Sequence, residues 1–327
     1  MKTNGIFCIS LDTELWWGVH DSRTVKEYGA NVLTGKKCIP KILEMFEEFN
    51  IKATWAIVGF LFAKNKTEVL QNMPSVDELP QYENEKRSSY RLLSEIGEDE
   101  DSAPLNFYPS LIDTIKERKQ EIASHTFSHY YCAEAGQTIE QFKADLAAMN
   151  RIVARHGVEL KSLVFPRNQS LSEYVKTLGD TGYVAFRGRE ENWIYNVKPV
   201  KLSRLLRFVD AYIPLSGSNT FIAENGNDCI NIRGSRFFRP YNKKLFFMEF
   251  LKIARIKGQM KVAAKKGRSF HLWWHPHNFG GCPEKMLLQL REILEYYQKL
   301  NQKYGFVSMS MGDIAKAILK TRKKVSI

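Results

Sequence analysis

The feature that most constrains how this chain folds is an alternation of apolar strand patterns with helical patterns. Such alternation predicts parallel βα units, because each helix returns the chain to the start of the next strand. The predicted strands are residues 5–11, 51–58, 120–124, 160–165, 183–186, 269–274 and 306–309, and the predicted helices are residues 37–50, 139–155, 172–178 and 284–304.

The spacing of these segments favours an α/β fold, namely a distorted or incomplete (β/α) barrel of the TIM type. Neither a GxGxxG motif nor a P-loop occurs, so the usual nucleotide-binding signals of open sheets are missing. One domain is predicted over residues 1–327. Residues 65–109 are predicted to be a polar insertion between the second and third strands, placed to form a lid or rim.

Charge and cysteine content limit the partners and the compartment. The net charge is +12, and residues 233–268 alone hold five Arg, seven Lys and one Glu. This basic stretch indicates either an anionic partner or a solvated surface. Five scattered cysteines without a CxxC pair predict a reducing compartment and hence a cytoplasmic protein. The first residues show no signal-peptide pattern, and the longest uncharged apolar run, 53–63, is too short to cross a bilayer.

Four predicted strands are followed at once by polar, reactive side chains. The carboxyl ends of barrel strands meet at one mouth, where the active sites of such folds lie. Side chains from all four segments are therefore expected to converge. These segments are Asp12-Thr13-Glu14, His125-Thr126-Phe127-Ser128-His129, Pro166-Arg167-Asn168 and His275-Pro276-His277.

The histidines and acids of these segments predict a metal centre. Five of the seven histidines lie in or just before two of the segments. The spacing of His125 and His129 would place both rings on one face of a helical turn. Asp12 and Glu14 are two residues apart at a strand end, so both carboxylates should point the same way and need a cation nearby. Two imidazoles and one carboxylate favour zinc, with cobalt, nickel or iron as other possibilities.

These motifs resemble the polysaccharide deacetylase family, also called carbohydrate esterase family 4 or the NodB-homology domain. The likeness rests on Ser10-Leu11-Asp12-Thr13-Glu14, His125-Thr126-Phe127-Ser128-His129 and Leu272-Trp273-Trp274-His275-Pro276, and it extends over most of residues 5–312. It implies a metal-dependent deacetylase on a distorted (β/α) barrel. Phe165-Pro166-Arg167-Asn168-Gln169 and Trp274-His275-Pro276-His277-Asn278 are similar to members associated with O-antigen and other surface-glycan biosynthesis.

The resemblance also implies catalytic roles. Glu14, His125 and His129 are the expected ligands of a divalent metal, most simply zinc, and Asp12 is the expected base. Thr13 stands where many members have a second aspartate, so the two acids could exchange roles. Arg167 is expected to orient Asp12, although here proline precedes the arginine whereas the family usually has the reverse order. His275 is expected to protonate the departing amine.

The substrate implied is an N-acetylated (or O-acetylated) sugar of a surface polysaccharide or its precursor, with nucleotide- and lipid-linked forms included. Aromatic side chains near the mouth would form a rim on which sugars stack. The expected substrate contacts are Trp16, Trp17 and Trp274 with neighbouring Trp273, together with His277 and Asn168.

Other interpretations stay open at this level. The chain could be an allantoinase-like amidohydrolase of small amides, or a glycan-binding protein with an inactive site. Nucleic-acid binding rests on charge alone and is not expected.

Residues 243–257 predict a basic amphipathic helix whose apolar side, with Phe246, Phe247 and Phe250, packs on the barrel. The alternative is peripheral contact with an anionic membrane at its inner face.

Overall fold

The computed structural model describes residues 4–223 and 229–325. Its strands are short and joined to their neighbours by parallel ladders. They are β1 (Ile6–Thr13), β2 (Ala53–Ile57), β3 (Glu121–Ser124), β4 (Ser162–Val164), β5 (Ala185–Arg187), β6 (Ile230–Asn231), β7 (Arg236–Phe237), β8 (Ser269–Trp274) and β9 (Val307–Ser308).

Helices follow most of these strands and cover the sheet. They are α1 (Val25–Glu48), α2 (Lys66–Asn72), α3 (Pro109–Glu117), α4 (Ile139–Ala154), α5 (Ser172–Leu178), α6 (Val200–Val209), α7 (Glu249–Lys266), α8 (Pro283–Tyr304) and α9 (Met311–Val325). The predicted helices 139–155 and 284–304 agree with α4 and α8 to within a residue at each end, and residues 172–178 agree with α5.

The sheet order places β1 near the centre of a curled, incomplete barrel. The strands follow one another as β6-β5-β4-β3-β2-β1-β8-β7, and β9 pairs with the first residues of β1. The predicted distorted (β/α) barrel is therefore confirmed. Because β1 is flanked by β2 and β8 along most of its length, the residues at its carboxyl end emerge in the middle of the mouth.

Helix α1 is longer than the sequence pattern predicted. Thr24 and Glu27 form a capping box at its start, and the helix then continues through Pro40. Gly35 lies where a Cβ atom would approach the Cα of His277 to 2.5 Å. The missing side chain lets α1 pack directly on the backbone that follows β8, and this contact fixes the position of the His275–His277 segment.

The polar stretch 65–109 forms α2, several short 3-10 turns and the start of α3. It lies beside the segments that follow β1 and β3. Trp16 donates its backbone N–H to the carbonyl of Leu105, and the backbone N–H of Tyr131 donates to the Tyr82 hydroxyl. This stretch therefore contacts the segments that follow β1 and β3, and its role as a lid or rim stays a prediction. The assignment of residues 1–327 to one domain stays a prediction.

Candidate active site

Strand β1 delivers two buried carboxylates to the mouth of the barrel. The strand runs to Thr13, two residues beyond its predicted end, so Asp12 lies inside the ladder opposite Ala56. Asp12 and Glu14 are 3% and 4% exposed. Their carboxylates lie on the same side, because Nε2 of His275 is 3.7 Å from Oδ2 of Asp12 and 3.6 Å from Oε1 of Glu14.

One oxygen of Glu14 lies between the two histidines that follow β3. Its Oε2 atom is 3.2 Å from Nε2 of His125 and 2.9 Å from Nε2 of His129. Nδ1 of His125 is 2.8 Å from the carbonyl oxygen of Val164, so Nδ1–H donates there and leaves Nε2 free to act as a ligand. Nδ1 of His129 has a similar contact with the Tyr131 hydroxyl at 3.2 Å. This buried set of two imidazoles and a carboxylate fits a divalent metal such as zinc.

The charges around Glu14 favour its ionised form. Burial by itself would raise the pKa of this carboxyl group, but the neighbouring imidazoles of His275, His125 and His129 outweigh that effect. The pKa of Glu14 therefore lies well below its ordinary value. An ionised carboxylate is the form that binds a metal.

The segment carrying His125 and His129 is a loop, not the helical turn that the sequence predicted. The buried Asp145 on α4 holds this loop by accepting hydrogen bonds from the backbone N–H groups of Phe127 and Ser128 and from the Ser128 hydroxyl. His129 has a φ of 60°, a left-handed conformation that is rare for residues other than glycine. The two rings converge through this loop geometry and not through helical periodicity.

Arg187, and not Arg167, holds the carboxylate of Asp12. The buried guanidinium donates from Nη1 and Nη2 to the two oxygens of Asp12, both at 2.6 Å. Arg187 is the last residue of β5, and its side chain also reaches the Ser10 hydroxyl at 2.9 Å. The signal for it in the sequence was an arginine directly after the predicted strand 183–186.

The predicted contact between Arg167 and Asp12 is therefore wrong. Arg167 lies in a 3-10 turn with a φ of 54°, and this turn directs its side chain to Asp21 and Glu134. Its neighbour Asn168 is at the site, because its Oδ1 atom accepts from Nη2 of Arg187 at 2.9 Å.

Arg187 also controls the charge state of Asp12. Burial would raise the pKa of this carboxyl group, but the positive charge and the two hydrogen bonds of Arg187 outweigh burial and lower it. Asp12 is therefore ionised at neutral pH and separate from the Glu14 cluster, which leaves it able to accept a proton.

The predicted rim of tryptophans is wrong for Trp16, Trp17 and Trp274. Trp17 and Trp274 are fully buried and Trp16 is 5% exposed, so these rings belong to the core. Side chains alternate along β8, which sends Trp274 outward into the helical layer and its neighbour Trp273 inward. The Trp273 ring lies 4.3 Å beneath the guanidinium carbon of Arg187 and is the tryptophan that lies at the site.

His275 and His277 follow β8 and lie next to each other. Their rings stack with centroids 4.9 Å apart. The side chain of His275 is 22% exposed, so this histidine faces the open mouth. His277 is buried, and burial lowers its pKa to about 3. Its imidazole is consequently neutral at physiological pH.

An open cleft of about 970 Å³ adjoins the Arg187 side of the site. Asn168, which bonds Arg187, is part of its wall. The cleft is rich in amide and guanidinium groups, which can donate hydrogen bonds to hydroxyl and anionic oxygens. They belong to Arg167, Asn168, Gln169, Arg189, Asn192 and Asn231.

A family model described as polysaccharide deacetylase matches residues 28–186. Residues 28–186, just under half of the chain, thus match the polysaccharide deacetylase family. The matched range includes His125 and His129, whereas Asp12, Glu14 and His275 lie outside it. The resemblance drawn from the motifs is thus confirmed at the level of the domain, and the narrower surface-glycan subtype stays a prediction. No curated protein sequence gives a significant match.

Several solved structures share the fold of this chain. A protein from Mycobacterium smegmatis described as a polysaccharide deacetylase is 12% identical with a TM-score of 0.62, covering 98% of this chain and 92% of that chain. Puue allantoinase, also 12% identical, has a TM-score of 0.55 and coverages of 96% and 90%. A protein from Pseudomonas aeruginosa PAO1 described as a polysaccharide deacetylase is again 12% identical. Its TM-score is 0.53, and the match covers 96% of this chain and 91% of that chain. At these identities the likeness shows the fold.

Substitution of Gly18 is expected to disrupt the metal-binding set without unfolding the protein. A Cβ atom on Gly18 would lie 1.9 Å from Cδ of Glu14, so the carboxylate must move away. We expect Gly18→Ala to weaken zinc affinity by about 10- to 100-fold, as other misplaced metal ligands do. Zinc competition with a chromophoric chelator measures this. Gly258→Ala is the control, because a Cβ atom there meets open space. Equal affinities in both variants would contradict the placement of Glu14.

Removing Arg187 is expected to destabilise the fold in a pH-dependent manner. Because the pKa of Asp12 is lowered, its ion pair with Arg187 stabilises the folded protein fully above about pH 4. This stabilisation is lost as the pH falls through the pKa that Asp12 has in the folded protein. We expect Arg187→Met to lower the free energy of unfolding by about 3–5 kcal/mol at pH 7, since it leaves a buried charge unpaired. The loss should shrink as pH falls toward 4, where Asp12 can take up a proton. Urea denaturation at both pH values measures it.

The double variant Asp12→Asn/Arg187→Met serves as the control for this effect. It removes the unpaired charge, so its stability should vary less with pH than that of Arg187→Met. A loss of the same size at pH 4 and pH 7 in Arg187→Met would show that packing, and not the charge of Asp12, is what Arg187 supplies.

Proposed function

We propose that the protein is a metal-dependent hydrolase that removes an acetyl group from the amide nitrogen of an amino sugar. One observation carries this proposal. A buried set of Glu14, His125 and His129 suited to zinc lies next to a separate ionised carboxylate, Asp12, and a solvent-facing imidazole, His275. Amide hydrolysis needs this combination of a Lewis acid, a base and a proton donor.

A divalent metal held by Glu14, His125 and His129 would supply Lewis-acid activation of water and of the amide carbonyl. Asp12, kept ionised by Arg187, takes the proton of the attacking water. His275 lies 3.7 Å from Asp12 and donates a proton to the amine nitrogen as the carbon–nitrogen bond breaks. The products are acetate and a free amino sugar. Asn168 and Trp273 keep Arg187 in place from two sides.

The adjoining cleft supports a substrate that carries anionic groups as well as sugar hydroxyls. Arg167, Lys176 and Arg189 line the cleft together with several amides and with Glu190 and Glu191. Arginine binds phosphate oxygens through paired N–H donors. We propose a precursor of a surface glycan, such as an O-antigen unit, linked through a diphosphate to a nucleotide or a lipid.

The direct test measures acetate release by the zinc-loaded protein from N-acetylhexosamine presented as the free sugar, the nucleotide-linked sugar, a lipid-linked diphosphate and a polymer. We expect release that a chelator abolishes and zinc restores. Asp12→Asn should lower kcat by about 100- to 10,000-fold while the protein keeps its zinc. Asp180→Asn, at an exposed aspartate outside the site, should match the unmodified protein.

The same assay separates the alternatives. Chelator-resistant acetate release would overturn the mechanism. Hydrolysis of a small cyclic amide such as allantoin, without acetate release from any sugar, would favour the amidohydrolase interpretation. Glycan binding without turnover of either substrate class would favour an inactive binding protein.

A second proposal concerns the membrane and rests on three exposed phenylalanines. The sequence favoured packing of the apolar side of residues 243–257 on the barrel, and this prediction is wrong. Phe246, Phe247 and Phe250 are 65%, 59% and 66% exposed. The inward face of α7 instead carries Ile253, Ile256 and Met260. Lys252 is also buried there and pairs with Glu249.

We propose that this surface, defined by Phe246, Phe247 and Phe250 with Lys243 and Lys244, docks on an anionic bilayer. It follows the carboxyl end of β7, so it lies at the same end of the barrel as the active site. Aromatic rings enter the interfacial region of a bilayer and lysines attract acidic headgroups. A lipid-linked substrate would thereby reach the mouth from the membrane.

Residues 4–223 and 229–325 contain no helix with the length and apolarity that crossing a bilayer requires. No disulfide links the cysteines of the part of the chain that the structure describes. We propose peripheral attachment at the cytoplasmic face, because the docking surface suits an anionic bilayer and the sequence predicts a reducing compartment.

Liposome flotation tests this docking surface. We expect the protein to float with phosphatidylglycerol-containing vesicles at low salt and to dissociate as salt screens the lysines. Replacing Phe246, Phe247 and Phe250 with serine should reduce the bound fraction by about tenfold or more, since each ring contributes apolar area. Leu288→Ser, at an equally exposed apolar residue on α8, is the matched control. Absence of flotation at low salt would remove the membrane proposal.

A further inference from the structure

Glu14 faces a second pair of histidines with its other oxygen. Whereas Oε2 lies between His125 and His129, Oε1 is 3.6 Å from Nε2 of His275 and 4.0 Å from Nδ1 of His277. One donor atom of each of Glu14, His275 and His277 lies within 4.8 Å of the others. The carboxylate therefore has one histidine pair on each side.

The second pair includes a buried nitrogen without a partner. Nδ1 of His277 has no hydrogen-bond partner among the described residues, although His277 is only 5% exposed. Buried polar atoms nearly always have a partner, so such an atom aimed at a carboxylate marks a place for a ligand.

The neighbouring imidazole is also arranged to act as a ligand. Nδ1 of His275 lies 3.2 Å from Oδ1 of Asn278, which fixes the N–H on that nitrogen. Nε2 of His275 is then left with a free lone pair directed at Glu14. A hydrogen bond on one ring nitrogen is how metal-binding histidines are commonly oriented.

We propose that Oε1 of Glu14, Nε2 of His275 and Nδ1 of His277 form a second, weaker site for a divalent metal, bridged to the first site by Glu14. This inference rests on the proposed metal site of the first histidine pair. The donor set, one carboxylate oxygen and two imidazoles, suits zinc, cobalt or nickel.

Two properties make the second site the weaker one. Glu14 is the carboxylate common to both sites, and Asp12 is already neutralised by Arg187, so a second dication is poorly compensated. His275 is also partly exposed, which allows the metal to exchange with solvent. Occupation of this site takes up the Nε2 lone pair of His275, the atom that carries the proton for the departing amine. Excess metal therefore inhibits the reaction.

Cobalt titration tests the second site without any substrate. Chelator-stripped protein is titrated with Co²⁺ while its visible d–d absorption is recorded, and equilibrium dialysis gives the number of bound ions. We expect two phases, the second at least about tenfold weaker than the first. His277→Gln should abolish only the second phase, and His129→Gln should abolish the tight phase. His156→Gln, at a histidine outside the site, should keep both.

Each outcome decides between the proposals. A single equivalent of cobalt at saturation, or an unchanged weak phase in His277→Gln with a native circular dichroism spectrum, would overturn the second site. Chelator-sensitive acetate release would still support the proposed function in that case. Two equivalents of cobalt without acetate release from any sugar would instead overturn the proposed function and leave the second site standing.

Discussion

The structure around the mouth is organised by the need to compensate two carboxylates that β1 buries side by side. Asp12 and Glu14 both lose hydration, and like charges this close repel each other. Arg187 neutralises Asp12 through two short hydrogen bonds. Glu14 faces imidazoles, and burial lowers the pKa of two of them, His129 and His277. A cation between Glu14 and the imidazoles would balance the charge, and the same asymmetry would leave Asp12 free for its proposed role as a base.

The backbone accepts local strain to bring these groups together. Several residues other than glycine at the mouth have positive φ, and each such conformation costs on the order of 1–3 kcal/mol unless its surroundings hold it. They are Leu15, Thr126, His129, Arg167 and Asn168. Asp145 on α4 holds the histidine loop through three hydrogen bonds, so the packed helical layer supports the site's geometry.

The sequence predicted the barrel and the convergence of acids and histidines, because strand ends and residue types are visible without a structure. It assigned the arginine wrongly for two reasons. The predicted strand 183–186 stopped one residue short of Arg187, and in a strand one residue decides whether a side chain enters the barrel. The positive φ of Arg167 depends on the packing of its turn and leaves no periodic signal. The alternation of side chains along β8 could have predicted that Trp273 faces into the barrel and Trp274 faces the helical layer.

Helix α7 shows why periodicity alone could not settle its orientation. A 3.6-residue period tells which side chains share a face, but not which face packs against the barrel. Lys252 packs inward because Glu249 pairs with it and two backbone carbonyls accept its remaining hydrogens, contacts that only the folded chain provides. The three phenylalanines are consequently left in water. Each forgoes about 1.5–3 kcal/mol of burial, which the proposed docking on an anionic bilayer would recover.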